Sequence, residues 1–141
     1  MNLKFIKREI APMMLTIAGN EYPAIFNFRA LIETSNELQE LDANILVVLL
    51  ESSYDDYGNL KQDDKTQMYY LPIPSHEFLI LIKNMMVAAG VDVSLDDLID
   101  SVRPNEMNSL IVQARNIIRQ QNYENDEKEV PQKNGKNAAK K

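Results

Sequence analysis

Two segments made almost entirely of apolar residues set the strongest limit on how this chain folds. Residues 45–50 are all apolar, and residues 78–89 are interrupted only by Lys83 and Asn84. A helix that is apolar around its whole circumference must be covered by other elements on several sides. Both segments are shorter than the roughly 20 residues that cross a bilayer. The sequence therefore predicts two buried helices at the centre of a globular fold, and no membrane span.

Capping residues and amphipathic patterns predict three further helices around these two. Pro104 suits the first turn of the last helix, in which apolar and polar residues lie on opposite faces. The predicted N-caps are Asn27, Asp42, Ser75 and Ser94, the last forming a capping box with Asp97. The apolar stripe of the last helix comprises Met107, Leu110, Ile111, Ala114, Ile117 and Ile118, and its polar face comprises Asn108, Gln113, Arg115, Asn116 and Arg119.

A β-hairpin is predicted before the helices. Leu15 and Ile17 alternate with polar or small residues, and Gly19-Asn20 supplies the turn. The return strand is predicted over residues 21–26, where Pro23 cannot donate to a ladder and so requires an open side. The predicted fold class is α+β and mostly α-helical, with an N-terminal β-hairpin, about five helices and a disordered C-terminal tail.

The composition divides the chain into three parts. Residues 1–13 form an N-terminal arm, residues 14–123 a single globular domain, and residues 124–141 a disordered charged tail with too few apolar residues to fold. The tail carries four acidic residues and five lysines, whereas residues 1–123 carry 17 acidic and 10 basic residues. The acidity of the chain therefore belongs to its folded part.

Composition also excludes several classes of function. The chain has no cysteine, which removes disulfides, thiolate metal sites and cysteine nucleophiles together. A net charge of −6 argues against general nucleic-acid binding. His76 is the only imidazole, and no glycine pair has the spacing of a phosphate loop. We therefore predict no catalytic residues, no cofactor, no metal site and no enzymatic activity.

The aspartate-rich stretch of residues 53–64 matches the pattern of a calcium-binding loop only in part. If Ser53 is the first position, Asp55 and Gly58 fall at the third and sixth positions. Tyr57 then occupies the fifth position and Asp64 the twelfth, where a bidentate glutamate belongs. The stretch is therefore predicted to be a solvated loop, with a divalent-ion enzyme as the weakest functional alternative.

One group of adaptable side chains is a candidate for partner binding. It lies partly on a long connection over residues 51–74, of the kind that is often mobile, and partly on the second buried helix. Methionine and tyrosine adapt to irregular partner surfaces, although filling the core is the alternative role. The candidate residues are Met68, Tyr69, Tyr70, Leu71, Met85 and Met86.

The opening of the chain resembles a known protein family. Residues 14–22 read MLTIAGNEY and residues 24–31 read AIFNFRAL. This order of strand, glycine turn, tyrosine-bearing return strand and helix resembles the tail assembly chaperones of long, non-contractile-tailed phages of Gram-positive bacteria. The likeness covers about residues 14–89 in order and character. Residues 1–12 extend beyond the usual start of that family, as an added arm or as a consequence of an alternative start at Met13 or Met14.

The resemblance implies a function without catalysis. Such a chaperone binds the tape measure protein and keeps it soluble while the major tail protein polymerises around it in the host cytoplasm, and it is absent from the mature virion. Self-association is expected, and contacts with nucleic acid or membrane are not. In that family the short product ends at a ribosomal frameshift site, with which Lys140-Lys141 is compatible. The alternative is a small acidic regulator that binds one host or phage protein.

Overall fold

A computed structural model describes residues 3–39 and 41–124. Within these residues the predicted α+β class is confirmed, with one antiparallel β-hairpin followed by five α-helices. The predicted tail, residues 124–141, lies outside the described residues except for Glu124. The elements are β1 Met13–Ile17, β2 Asn20–Ala24, α1 Phe28–Glu37, α2 Ala43–Ser52, α3 Ser75–Ala88, α4 Leu95–Ser101 and α5 Met107–Arg119, with a 3₁₀ turn Pro104–Glu106 before α5 and a π-helical turn Gln120–Glu124 after it.

Helix α3 occupies the centre of the core, as its composition predicts. Eight of its residues are buried, and it packs against α1, β2, α4 and α2. The prediction for α2 is only partly correct. Leu46 and Leu50 are fully buried, but Ile45 and Val48 on the other side of the helix are exposed to solvent. Helix α2 therefore covers the core from one side instead of crossing it.

The hairpin turns one residue earlier than predicted. Ala18 and Gly19 both have positive φ values, 53° and 82°, and Ile17 pairs with Asn20. Two consecutive residues with positive φ define the tight turn that matches the twist of two-residue hairpins. Asn20 is therefore the first residue of β2, which ends at Ala24 and not at residue 26.

Helices bond to the hairpin at one point on each side of it. The side-chain amide of Gln113 on α5 accepts a hydrogen bond from the N–H of Thr16 (2.7 Å) and donates one to its carbonyl (3.1 Å). Along β2, Pro23 has no N–H to satisfy, which confirms its predicted edge position. The N–H of Ile25, just beyond the strand, donates to the carbonyl of Met85 at 2.9 Å.

A second glutamine joins the hairpin to the base of the arm. Gln121 is buried, and its side-chain oxygen accepts from the N–H of Phe26 (2.5 Å). The nitrogen of the same amide donates to the carbonyl of Ala11 (2.8 Å). The Gln121 side chain therefore links the residues just after β2 to the residues just before β1.

The caps follow the sequence prediction at three helices and differ at one. Helix α3 begins with Ser75 inside the helix, and Pro74 occupies the N-cap position without a side-chain hydrogen bond. The predicted role of Ser75 as N-cap is therefore wrong. The confirmed caps are Asn27 to the N–H of Ala30, Asp42 to the N–H of Asn44, and the capping box of Ser94 with Asp97.

Candidate functional site

The connection between α2 and α3 folds into three short extended segments. The N–H of Lys61 in the middle segment donates to the carbonyl of Ser53 (2.8 Å), and the carbonyl of Lys61 accepts from the N–H of Tyr70 (2.9 Å). The middle segment is thus bonded on both sides, and the third segment forms an outer edge. The three segments are residues 53–55, 59–63 and 68–71.

Two aspartates build the turns between these segments. The carboxylate of Asp55 accepts from the N–H groups of Tyr57 and Asn59, both at 2.9 Å. The carboxylate of Asp63 accepts from those of Thr66 and Lys65, and these hydrogen bonds lower the pKa of Asp63 because they favour the charged form. Of the four aspartates in residues 53–64, Asp55 and Asp63 therefore serve as turn acceptors. Among the described residues no cluster of three or more metal-ligating side chains occurs.

Helix α5 supports the connection from beneath. Gly58 has a φ of +82°, and a Cβ there would clash with the carbonyl oxygen of Asn108 and lie 3.0 Å from the side chain of Val112. The side-chain amide of Asn108 also donates to Asn59 at 2.9 Å. Only glycine allows the first turn to approach the helix this closely. The connection is therefore packed against α5 as an integral part of the fold.

The position of Arg115 contradicts its predicted place on the polar face of α5. The sequence places it on the polar face, but its side chain is only 6% exposed, and its guanidinium donates to the carbonyl of Asp55. Its Nε atom is buried and has no hydrogen-bond partner among the described residues. Arg115 lies four residues after Ile111 and three before Ile118, so it borders the apolar stripe of α5, and its side chain reaches under the first turn.

The third segment combines exposed apolar side chains with unused backbone groups. Met68, Tyr69 and Leu71 are 69%, 67% and 69% exposed, and Tyr70 is 40% exposed with the Lys61 ammonium 5.1 Å from its ring centre. Because Met68 and Tyr70 direct their bonded groups inward, the N–H and C=O groups of Tyr69 and Leu71 point outward. Neither residue makes a backbone hydrogen bond within the described chain. We call residues 68–71 the open edge.

The structure separates the six predicted partner-binding residues into two groups. Met68, Tyr69, Tyr70 and Leu71 lie together on the open edge. Met85 and Met86 lie in the core of α3, with exposed fractions of 0% and 1%. For these two the alternative role of core filling applies, because α3 is covered on several sides and leaves them no surface for a partner.

A groove of ≈ 610 Å³ between α1 and α3 is lined in part by Glu37, His76 and Glu77. The Nδ1 atom of His76 lies 3.8 Å from the carboxylate of Glu77 near the start of α3. Burial alone would raise the pKa of Glu37, but hydrogen bonds from Lys83 and Asn84 and the charge of Lys83 outweigh it and lower that pKa. Because Glu37 stays ionised and paired, it is a poor proton acceptor.

None of the described helices combines the length and the apolar composition that a membrane crossing requires. The candidate site is the open edge, which the helices support. The carboxylates of Asp55 and Asp63 accept hydrogen bonds in the turns beside it. Comparisons with protein-family models, with curated proteins and with solved structures find no match to this chain.

Proposed function

We propose that this chain is a tail assembly chaperone of a long-tailed phage, which binds the tape measure protein without catalysing a reaction. The observation that carries the proposal is the open edge, where four consecutive bulky residues project from a rigid support. Exposed apolar groups on an unpaired edge mark a surface for protein binding. The likeness of residues 14–31 to the chaperone family supplies the proposed client.

The charge of the domain supports this role. Residues 13–123 carry 16 acidic and seven basic residues. A strongly negative body keeps molecules apart and soluble while the open edge contacts an apolar client. Contacts with the major tail protein belong to the same proposal, as do a location in the host cytoplasm and absence from the finished virion.

Coexpression tests the proposal. The tape measure protein would be produced with the wild-type chain, with the variant carrying Tyr69→Ser and Leu71→Ser, or with no partner, and its soluble fraction would be measured. We expect the wild type to keep the client soluble and the double variant to lose most of this effect. Tyr57→Ser is the matched control, because Tyr57 is an exposed aromatic residue of the same connection but lies outside the open edge.

The outcomes also separate the alternative. A soluble fraction that is the same with and without the chain would contradict the chaperone proposal. A stoichiometric complex with a folded host or phage protein would instead support the small acidic regulator, which the negative body also favours.

A further inference from the structure

The N-terminal arm is, besides the open edge, a second segment with exposed apolar side chains. Residues 3–12 contain no helix or strand, and Leu3, Phe5 and Ile6 are 88%, 90% and 88% exposed. Burial of such side chains in a complex stabilises it, because apolar surface is removed from water. Because none of the three is covered within its own molecule, this gain is available only in a complex or after a rearrangement of the arm.

The arm leaves the domain from a fixed point. The carbonyl of Ala11 is held by Gln121, which fixes the base of the arm. The described residues before Arg8, residues 3–7, span roughly 16 Å when extended, at 3.3 Å per residue. This length is sufficient to reach the surface of a neighbouring molecule.

The chemistry of the arm matches that of the open edge. In an extended conformation Leu3 and Phe5 lie on one face, as Tyr69 and Leu71 do on the edge. The outward N–H and C=O groups of Tyr69 and Leu71 supply partners for a further strand. Strand addition would therefore satisfy the edge's backbone groups and cover apolar side chains on both segments.

Charge also favours this pairing. The arm carries Lys4, Lys7 and Arg8 against the single acid Glu9, and the body to which it is attached is strongly acidic. An open groove of ≈ 700 Å³ beside the edge is bordered by three aspartates and two lysines, namely Asp55, Asp63, Asp64, Lys61 and Lys65. The five charged residues that border this groove sum to −1, so they attract a strand that carries Lys4 and Lys7.

We propose that residues 3–8 of one molecule add as a strand to the open edge of a second copy of this chain. Two molecules that exchange arms form a closed dimer. If the arm of each molecule instead binds the edge of a different molecule, a chain of molecules results. The inference uses the same surface as the proposed function, so that a client and a neighbouring arm compete for it.

Complementation of two variants in the full chain tests the proposal. The arm variant carries Phe5→Ser and Ile6→Ser, and the edge variant carries Leu71→Pro, which removes an outward N–H. Sedimentation equilibrium should show concentration-dependent association of the wild type and, for each variant alone, a dissociation constant raised about tenfold or more. An equimolar mixture should recover a one-to-one complex, because one partner retains an intact edge and the other an intact arm.

Controls make each outcome decisive. Tyr57→Ser should associate like the wild type, and Leu71→Ser should repeat the edge effect if Leu71→Pro fails to fold, as judged by thermal unfolding. Higher salt should weaken the wild-type complex. A monomeric wild type, association unchanged by the arm variant, or a mixture that stays monomeric would overturn the proposal, including the case in which the arm folds onto its own edge.

The same variants separate this inference from the proposed function. If the arm variant is monomeric and still keeps the tape measure protein soluble, arm exchange and client binding are distinct uses of the edge. If the arm and edge complement each other but no variant affects the client, the chaperone proposal fails and the self-association stands.

Discussion

The N-terminal hairpin and the connection between α2 and α3 both have outer strand edges. They differ in whether a neighbouring element forms hydrogen bonds to those edges. In the hairpin, Gln113 bonds to the outer side of β1 at Thr16, and the α3 carbonyl of Met85 accepts from the N–H of Ile25 just beyond β2. In the connection, α5 supports the first turn, but the outward groups of the open edge are left without a partner among the described residues. The outward groups of Tyr69 and Leu71 therefore remain available for strand addition.

The largest expected effect comes from separating the connection from α5. Gly58→Ala should lower the free energy of unfolding by about 3 kcal/mol, because the added Cβ combines an unfavourable positive φ with a clash against the Asn108 carbonyl. Urea denaturation followed by circular dichroism measures this loss. The same displacement should reduce client binding by the open edge.

Gly90→Ala is the matched control for this variant. Gly90 has a similar φ of +94°, but a Cβ there would meet nothing within 4 Å. It should cost only about 1 kcal/mol, the penalty for the left-handed conformation alone. Equal costs at the two glycines would show that the first turn is not held against α5.

The sequence predicts the elements of this fold better than it predicts their edges. Asn27, Asp42 and the pair of Ser94 and Asp97 announce three helix starts, because a cap is a local interaction between residues a few positions apart. Gln113 and Gln121 could not be assigned their roles, since each bonds to backbone groups about 95 or more residues away.

The candidate site shows the same limit. Met68, Tyr69, Tyr70 and Leu71 are identified from residue type, but burial of Met85 depends on which elements surround α3. The turn-forming role of Asp63 is local, because an aspartate side chain readily accepts from backbone N–H groups two or three residues further along the chain. The unpaired state of the open edge depends on the hydrogen bonds of the neighbouring segment, which no local pattern encodes.

A smaller effect is expected when the closure of the hairpin is weakened. Gln121→Ala should destabilise the fold by about 2 kcal/mol, because it leaves the N–H of Phe26 buried without its acceptor. Gln113→Ala should cost about 1 kcal/mol, since its bonds to Thr16 lie at the surface. Chemical denaturation of both variants checks the order, and a larger loss for Gln113→Ala would contradict it.

The hairpin can also be tightened. Ala18 has a φ of 53°, a region that asparagine tolerates better than alanine. Ala18→Asn places Asn-Gly in the turn and should raise the free energy of unfolding by about 0.5–1 kcal/mol. Ala18→Val, with a β-branched side chain, should act in the opposite direction. Thermal unfolding distinguishes the two, and a stable valine variant would contradict the turn geometry.

The smallest effect concerns pH and the ion pair between Glu37 on α1 and Lys83 on α3. The pKa of Glu37 is lowered in the folded state, so its contribution is complete above the ordinary value of 4.5 and is lost as pH falls through the folded pKa. Because the side chain is 42% exposed, solvent screening limits the contribution to about 0.5 kcal/mol. Glu37→Gln should therefore destabilise the protein at pH 7 and reduce the stability it loses on acidification. Glu33→Gln, one turn earlier on the same exposed face, is the control. If denaturation curves at pH 7 and below pH 4 show the same difference for both variants, the pairing of Glu37 with Lys83 does not stabilise the fold.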